Sequence, residues 1–241
     1  MTIDQQNICT PVTSANIVLN WICSVIYQLI ILCMDASPSM EGRKAFEASV
    51  ACNELVYELN RPEYENRVVV STIEFWKHAV IRNKTVSAAD LAQHLAPIKT
   101  NPQQTGTNIY AALDLAHKHC LEVIRAEKND MRWLRPVVLL FSDGEHNTGP
   151  NPEQMADELR ETADLVTIAF GDDADEATLR RLATTPQHFV RCSDGRQLRN
   201  YLAAVGKTLS STIASGVNAT SALSSLSHIN GQCDIARKGT L

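Results

Sequence analysis

The chain has 241 residues, 44% of them hydrophobic, and a formal net charge of −5. That length and apolar content are enough to bury one full core, so a single main domain is expected. The Lys and Arg residues are scattered rather than gathered into a basic stripe, which argues against a nucleic-acid partner. The seven cysteines (Cys9, Cys23, Cys33, Cys52, Cys120, Cys192, Cys233) form no Cys-x-x-Cys pair, and most lie in apolar periodic segments. They read as reduced thiols of a cytoplasmic protein rather than zinc ligands or a disulfide framework.

Residues 1–26 are expected to be an N-terminal extension. Ile17 to Met34 is apolar enough to raise the question of a membrane span, but Asn20 and Gln28 interrupt it. Its last eight residues belong to a strand, and what remains is too short to cross a bilayer. No Lys or Arg precedes Arg43, so the basic flank of a secretory signal is also missing. Residues 15–26 are compatible with an extra strand, a helix packed on the core, or a partner-binding segment.

Ile30 to Met34 is a continuous apolar run, the pattern of a strand covered on both faces. It ends abruptly in Asp35-Ala-Ser-Pro-Ser39, with a carboxylate and two hydroxyls at alternate positions. Three small oxygen ligands on one tight loop suit a hard cation such as magnesium, although Asp, Ser and Pro also make ordinary turns. Glu41 to Asn60 reads as a helix with Ala48, Cys52, Leu55 and Leu59 on one face, stopped by Pro62. Val68 to Phe75 reads as a strand, and His78 to Arg82 as its neighbour. Ser87 caps a short helix reaching Leu95, and Ile109 to Ile124 forms a second long helix entered through a polar loop. Val137–Phe141 and Leu165–Phe170 are further buried strands, with helices near Pro152–Ala163 and Glu176–Ala183. By spacing, His188 falls where a sixth strand would follow, in the run His188-Phe189-Val190-Arg191-Cys192. A last helix spans about Gln197 to Leu209.

This alternation predicts an α/β fold: a doubly wound, mainly parallel central sheet with helices on both faces. After Ser210 the composition turns Ser-, Thr- and Ala-rich, so residues 215–241 are expected to be a weakly ordered tail. Asn218-Ala-Thr220 matches a glycosylation acceptor, of little meaning in a cytoplasmic protein.

Two further segments complete the first loop. Thr105-Gly106-Thr107-Asn108 leads into the second long helix, and Asp143-Gly144 ends another buried strand. Ligands gather outside the carboxyl ends of strands in such sheets, so Asp35, Ser37, Ser39, Thr107 and Asp143 are expected to meet at one edge. These three segments resemble, residue by residue, the metal-ion-dependent adhesion site of the von Willebrand factor A family; the resemblance covers about Tyr27 to Leu209, and the domain is expected to span residues 27–214. Pro38 stands where Gly is common in that family, at a position that is not a ligand. Trp133–Gly144 and the closing helix look most like the bacterial TerY-like members associated with tellurium-resistance operons.

The resemblance implies a non-enzymatic module in which magnesium (or manganese or calcium) captures an Asp or Glu of a partner protein. Asn108, Glu145 and His146 would then line the rim. For the TerY-like members it implies a stress or signalling role beside a metal-dependent protein phosphatase and a Ser/Thr kinase. Two alternatives compete. A haloacid-dehalogenase-type phosphatase would use Asp35 as nucleophile, and Phe141-Ser142 and Phe170-Gly171-Asp172-Asp173 imitate its later motifs. It needs a carboxylate two residues after the nucleophile, where Ser37 stands, and a Lys between Ser142 and Gly171, where none occurs. Asp172, Asp173, Asp175 and Glu176 are then read as helix N-terminal charges. The other alternative is a structural subunit whose metal only stabilises the fold. Gly206-Lys207-Thr208 imitates a phosphate loop inside a helical pattern and is read as accidental. His117 and His119 do not share a helix face and are read as solvated.

Overall fold

The computed structural model describes residues 25–64, 66–103, 105–126 and 131–226. In chain order they form β1 (Val25–Asp35), α1 (Arg43–Leu59), β2 (Val68–Phe75), β3 (Ala79–Ser87), α2 (Ala88–His94), α3 (Ile109–Arg125), β4 (Met131–Trp133), β5 (Val137–Ser142), α4 (Pro152–Thr162), β6 (Asp164–Phe170), α5 (Glu176–Leu182), β7 (Phe189–Cys192), α6 (Gly195–Ser215) and α7 (Thr220–Ser224).

The continuous apolar run of β1 follows from its central place. Ile30, Leu32 and Met34 face one core, shared with α1 and α6, while Leu29, Ile31 and Cys33 face another, shared with α3, α4 and α5. The sheet order is β3-β2-β1-β5-β6-β7, with every pairing parallel except β2 with β3. The doubly wound prediction holds. Successive crossovers leave β1 in opposite directions, toward β2 and toward β5, so the gap between the carboxyl ends of β1 and β5 is the topological switch point.

β4 also pairs with β1, at Val25–Tyr27, before β5 takes over at Ile30. Pro136, which lacks an N–H, interrupts the two pairings. Gln28 fills the break: fully buried, its amide donates to the Arg135 carbonyl at 3.0 Å. The polar residue that interrupts the apolar run is therefore part of the sheet.

Several boundaries move. The strand expected at His78–Arg82 runs from Ala79 to Ser87, after which the Ser87 hydroxyl accepts the Asp90 N–H at 3.0 Å as the anticipated cap. The last helix continues past Leu209 to Ser215 and closes on Gly216 in the left-handed region (φ 66°). Gly206 lies within it against α1, where a Cβ would stand 2.7 Å from that of Glu58 and 3.2 Å from the Leu55 carbonyl. It is a close-packing glycine between two helices.

The expectation of a weakly ordered tail from residue 215 is corrected up to Leu226. Ala219, Leu223 and Leu226 are buried. The Asn218 side chain accepts the Arg135 N–H at 2.9 Å, and Thr220 donates to the buried Asp164 at 2.7 Å. Average composition misled here, because widely spaced apolar residues on one face suffice to dock a helix and hydroxyls can bond back along it, as Ser224 does to Thr220. The expectations for residues 1–24 and 227–241 lie outside the described residues. Among those described, no helix is long and apolar enough to cross a membrane. Cys33, Cys52, Cys120 and Cys192 are buried thiols outside any disulfide.

Candidate metal centre

The first loop is shaped by backbone restrictions. Ala36 N–H still bonds to Phe75 O at 2.8 Å, so Asp35 is held at the last sheet position and is fully buried. Pro38 then opens a short 3-10 turn through Met40, whose side chain is buried, and Gly42 (φ 77°) redirects the chain into α1. Within the turn, Ser37 N–H donates to Asp35 Oδ1 at 2.8 Å.

The hydroxyls form a chain across two loops. Ser37 Oγ and Ser39 Oγ are 2.9 Å apart, and Ser39 donates to Asp143 Oδ1 at 2.7 Å. Asp35, Ser37 and Asp143 are buried, while Ser39 is exposed, so the cluster opens outward through Ser39. Gly144 places Thr107 in the same group: a Cβ there would meet both Ser39 Oγ and Thr107 Oγ1 at 3.6 Å. The five residues singled out from the sequence thus converge at the switch point.

Four supporting residues were not anticipated. Ser142 donates a short hydrogen bond to Asp35 Oδ2, a hydroxyl immediately before the second carboxylate of the site. Asn147 clamps the Thr107 loop: its side chain accepts Thr107 N–H at 2.8 Å and its own N–H donates to Thr107 O at 3.1 Å. Gly106 (φ 95°) permits that approach, since a Cβ would lie 2.5 Å from Thr148 Oγ1. Lys44 donates to Asp143 Oδ2 at 2.5 Å and to Asp173 at 2.8 Å. Trp76 O receives the Asn108 N–H at 2.7 Å and fixes the entry to α3.

The three rim residues divide. Asn108 is the N-cap of α3, accepting Ala111 N–H at 3.0 Å, and its amide donates to Lys77 O at 3.2 Å. His146, half-buried, accepts the Ile109 N–H on Nδ1 at 3.1 Å. Glu145, two residues after Asp143 in the chain, is exposed. The reading of the later acidic run as helix N-terminal charges is corrected in part. Asp175 caps α5 and Glu176 lies in its first turn, but Asp173 pairs with Lys44 and Asp172 with Arg191.

Burial pushes the Asp35 carboxyl up to about 6; hydrogen bonds from Ser142 and Ser37 oppose the shift and the Asp143 charge adds to it. Burial also works against the charge of Lys44, but its two carboxylate partners outweigh that and raise its pKa. Two carboxylates and three hydroxyls form an all-oxygen set, as a small hard cation requires, and each oxygen retains a lone pair beyond the bonds described. A buried carboxyl at Asp35 that pairs with no cation among the described residues is the observation that fits such an ion. Among the described residues, no cluster of three or more His, Cys, Asp or Glu side chains has metal-binding form, and this centre holds two carboxylates completed by hydroxyls.

The geometry has relatives. Inter-alpha-trypsin inhibitor heavy chain H3 of Mesocricetus auratus is 24% identical over 165 residues, 66% of this chain and 18% of its own length. Human heavy chain H6 is 26% identical over 170 residues, 67% of this chain and 13% of its own. The chain therefore spans less than a fifth of these relatives. Among solved structures, the vWF domain of the pilus tip protein Mfa5 from Porphyromonas gingivalis superposes with a TM-score of 0.63 at 12% identity, covering 78% of this chain and 97% of that one. Proximal thread matrix protein 1 from the mussel byssus, in a form with a zinc-occupied MIDAS motif, gives 0.59 at 20% identity over 78% of this chain and 48% of that one. At such identities these structures speak for the fold alone. The family model for the von Willebrand factor type A domain matches residues 30–204, from the core of β1 into α6, and the chain belongs to that family.

Proposed function

We propose that this chain is a non-enzymatic, metal-dependent protein-recognition module. Asp35, Ser37, Ser39, Thr107 and Asp143 hold a divalent ion, best magnesium, and the ion captures an Asp or Glu of a partner. The observation that carries the reading is the hydrogen-bonded chain from Asp35 through Ser37 and Ser39 to Asp143, buried at one end and open at Ser39. Two carboxylates with neutral hydroxyls match the sparse protein ligation of magnesium, which keeps positions for outside oxygens. An electron-poor ion at a surface opening makes a carboxylate the natural hot spot of an interface. Glu145 and His146 follow Asp143 closely in the chain and contribute to the rim.

Within this function we place the chain with the TerY-like bacterial members, in a cytoplasmic stress or signalling system beside a metal-dependent phosphatase and a Ser/Thr kinase. The support is the resemblance of Trp133–Gly144 and the closing helix, together with buried thiols outside any disulfide. The relatives and structures named above speak for the family and not for this subgroup.

The test is a pull-down from native lysate with magnesium, with chelator, and with Asp35→Ala. Loss of the partner in the last two, with circular dichroism unchanged, supports capture through the metal. A partner retained in all three conditions would instead make the metal a stabiliser of the fold.

A further inference from the structure

Lys44 stands in the first turn of α1, where unsatisfied N–H groups carry partial positive charge and a cation is disfavoured. That turn contains no acidic residue to offset it. The ammonium is held from outside the helix, by Asp143 Oδ2 at 2.5 Å and by the two oxygens of Asp173 at 2.8 and 3.0 Å. The Asp143 side chain is fully buried, so this oxygen has exchanged water for Lys44. Its other oxygen accepts Ser39 at 2.7 Å and faces the hydroxyl cluster.

Charge counting gives this contact a consequence. Asp35 and Asp143 together neutralise one dication, and Ser37, Ser39 and Thr107 add no charge. Lys44 then leaves one positive charge beside the ion. Asp173 pairs with Lys44 directly at 2.8 Å, but its side chain is 66% exposed, so solvent screens that carboxylate and it offsets the charge only in part. We propose that Lys44 is a positioning residue that sets ligand preference at the metal centre. It occupies one oxygen of Asp143, loosens the hold on the ion, and keeps the loaded site net positive, which favours an outside carboxylate over a neutral oxygen ligand.

This rests on the metal-dependent reading above, and the experiment separates the two. Magnesium is titrated calorimetrically into wild type, Lys44→Met, Lys44→Arg and Asp173→Asn, and acetate is titrated onto the manganese-loaded proteins with water-proton relaxation as readout. Lys44→Met should bind magnesium roughly tenfold more tightly, because a nearby like charge has gone, and retain acetate several times more weakly, because an attracting opposite charge has gone. Lys44→Arg should stay within about twofold of wild type in both. Asp173→Asn, an exposed change that spares the fold, should shift magnesium the opposite way, about threefold weaker. Opposite signs in the two neutralising variants are not produced by a merely structural ion pair. Unchanged magnesium affinity in both, or tighter acetate in Lys44→Met, overturns the proposal. Wild type that binds no magnesium at all overturns the metal-dependent reading itself, and this inference with it.

Discussion

Among the described residues, two clusters place hydroxyls beside titratable side chains in orders that invite comparison, and one of the two is the candidate site. At the carboxyl ends of β1 and β5, Asp35, Ser37, Ser39 and Asp143 share hydrogen bonds and open to solvent. Under α3, Ser71 lies 2.8 Å from His119 Nε2, and His119 Nδ1 lies 3.6 Å from Glu122, an order of groups that imitates a nucleophile relay. That imitation fails on access and on hydrogen-bond count. Ser71 is fully buried, and its oxygen already accepts the Thr85 N–H at 2.8 Å; the gap to Glu122 is too long for a hydrogen bond. The cluster instead pins an irregular pairing of β2 with β3, where the register shifts near Ser71 and Thr85 takes φ 54°, a costly value for a β-branched residue. Similar residue types therefore do opposite work. Placement at the switch point with an opening makes a site, and placement in mid-sheet under a helix makes a fastener.

The sharpest way to break this contrast is to remove one anchor from each cluster. Asp35→Ala should eliminate magnesium binding detectable by calorimetry while leaving the fold intact; full binding in that variant would dismantle the candidate centre. His119→Ala should do the reverse. It strands Ser71 and Thr85 hydroxyls and leaves a cavity, costing about 2–3 kcal/mol in urea unfolding with magnesium affinity unchanged. Ser142→Ala tests a supporting contact: magnesium affinity should fall roughly tenfold as Asp35 loses its hydroxyl donor, with only about 1 kcal/mol of stability lost. A large stability loss without any change in affinity would move Ser142 to the fastener class.

The smallest expected effect is in pH. Burial, with a lesser contribution from Lys84, lowers the pKa of His119, while Glu122 opposes the shift. The unfolded chain takes up that proton near pH 6.5 and the folded chain only at lower pH, so between the two values the unfolded state binds more protons. Stability should therefore decline as pH falls from about 6.5 toward the folded value, then level off. His188 shifts in the same direction, so the diagnostic quantity is the difference between wild type and His119→Gln. An identical pH slope in both proteins would remove His119 from the account.

His119 also marks the limit of what local sequence can show. Lying two residues from His117 on a helix, it does not share a face with it, and the sequence alone presents both as solvated. The consequence of that spacing is that one points inward: His119 is buried and His117 half-buried. Helical periodicity gives the angle between side chains but not which direction is the core when both are polar. The same limit hid Lys44, Asn147 and Ser142. Each has an unremarkable local context, and its partner lies on another loop, as with Lys44 and Asp143, 99 residues apart. By contrast the buried strands, the Ser87 cap and the five converging residues were legible, because they depend on run length, capping chemistry and strand ends.

What the sequence by itself determined is local: the turn that lets Ser37 N–H reach Asp35, the glycines with positive φ at Gly42 and Gly106, and the apolar runs long enough for doubly covered strands. Neighbouring residues and backbone sterics settle these within a few positions. The tertiary structure alone decided that β1 lies between β2 and β5, which brings Asp143 to Ser39 across 104 residues and lets Lys44 claim its second oxygen. It also decided that Ser39 faces solvent while Ser71 does not. Sheet order and helix coverage are set by how whole apolar faces are buried together, and no local pattern carries that information.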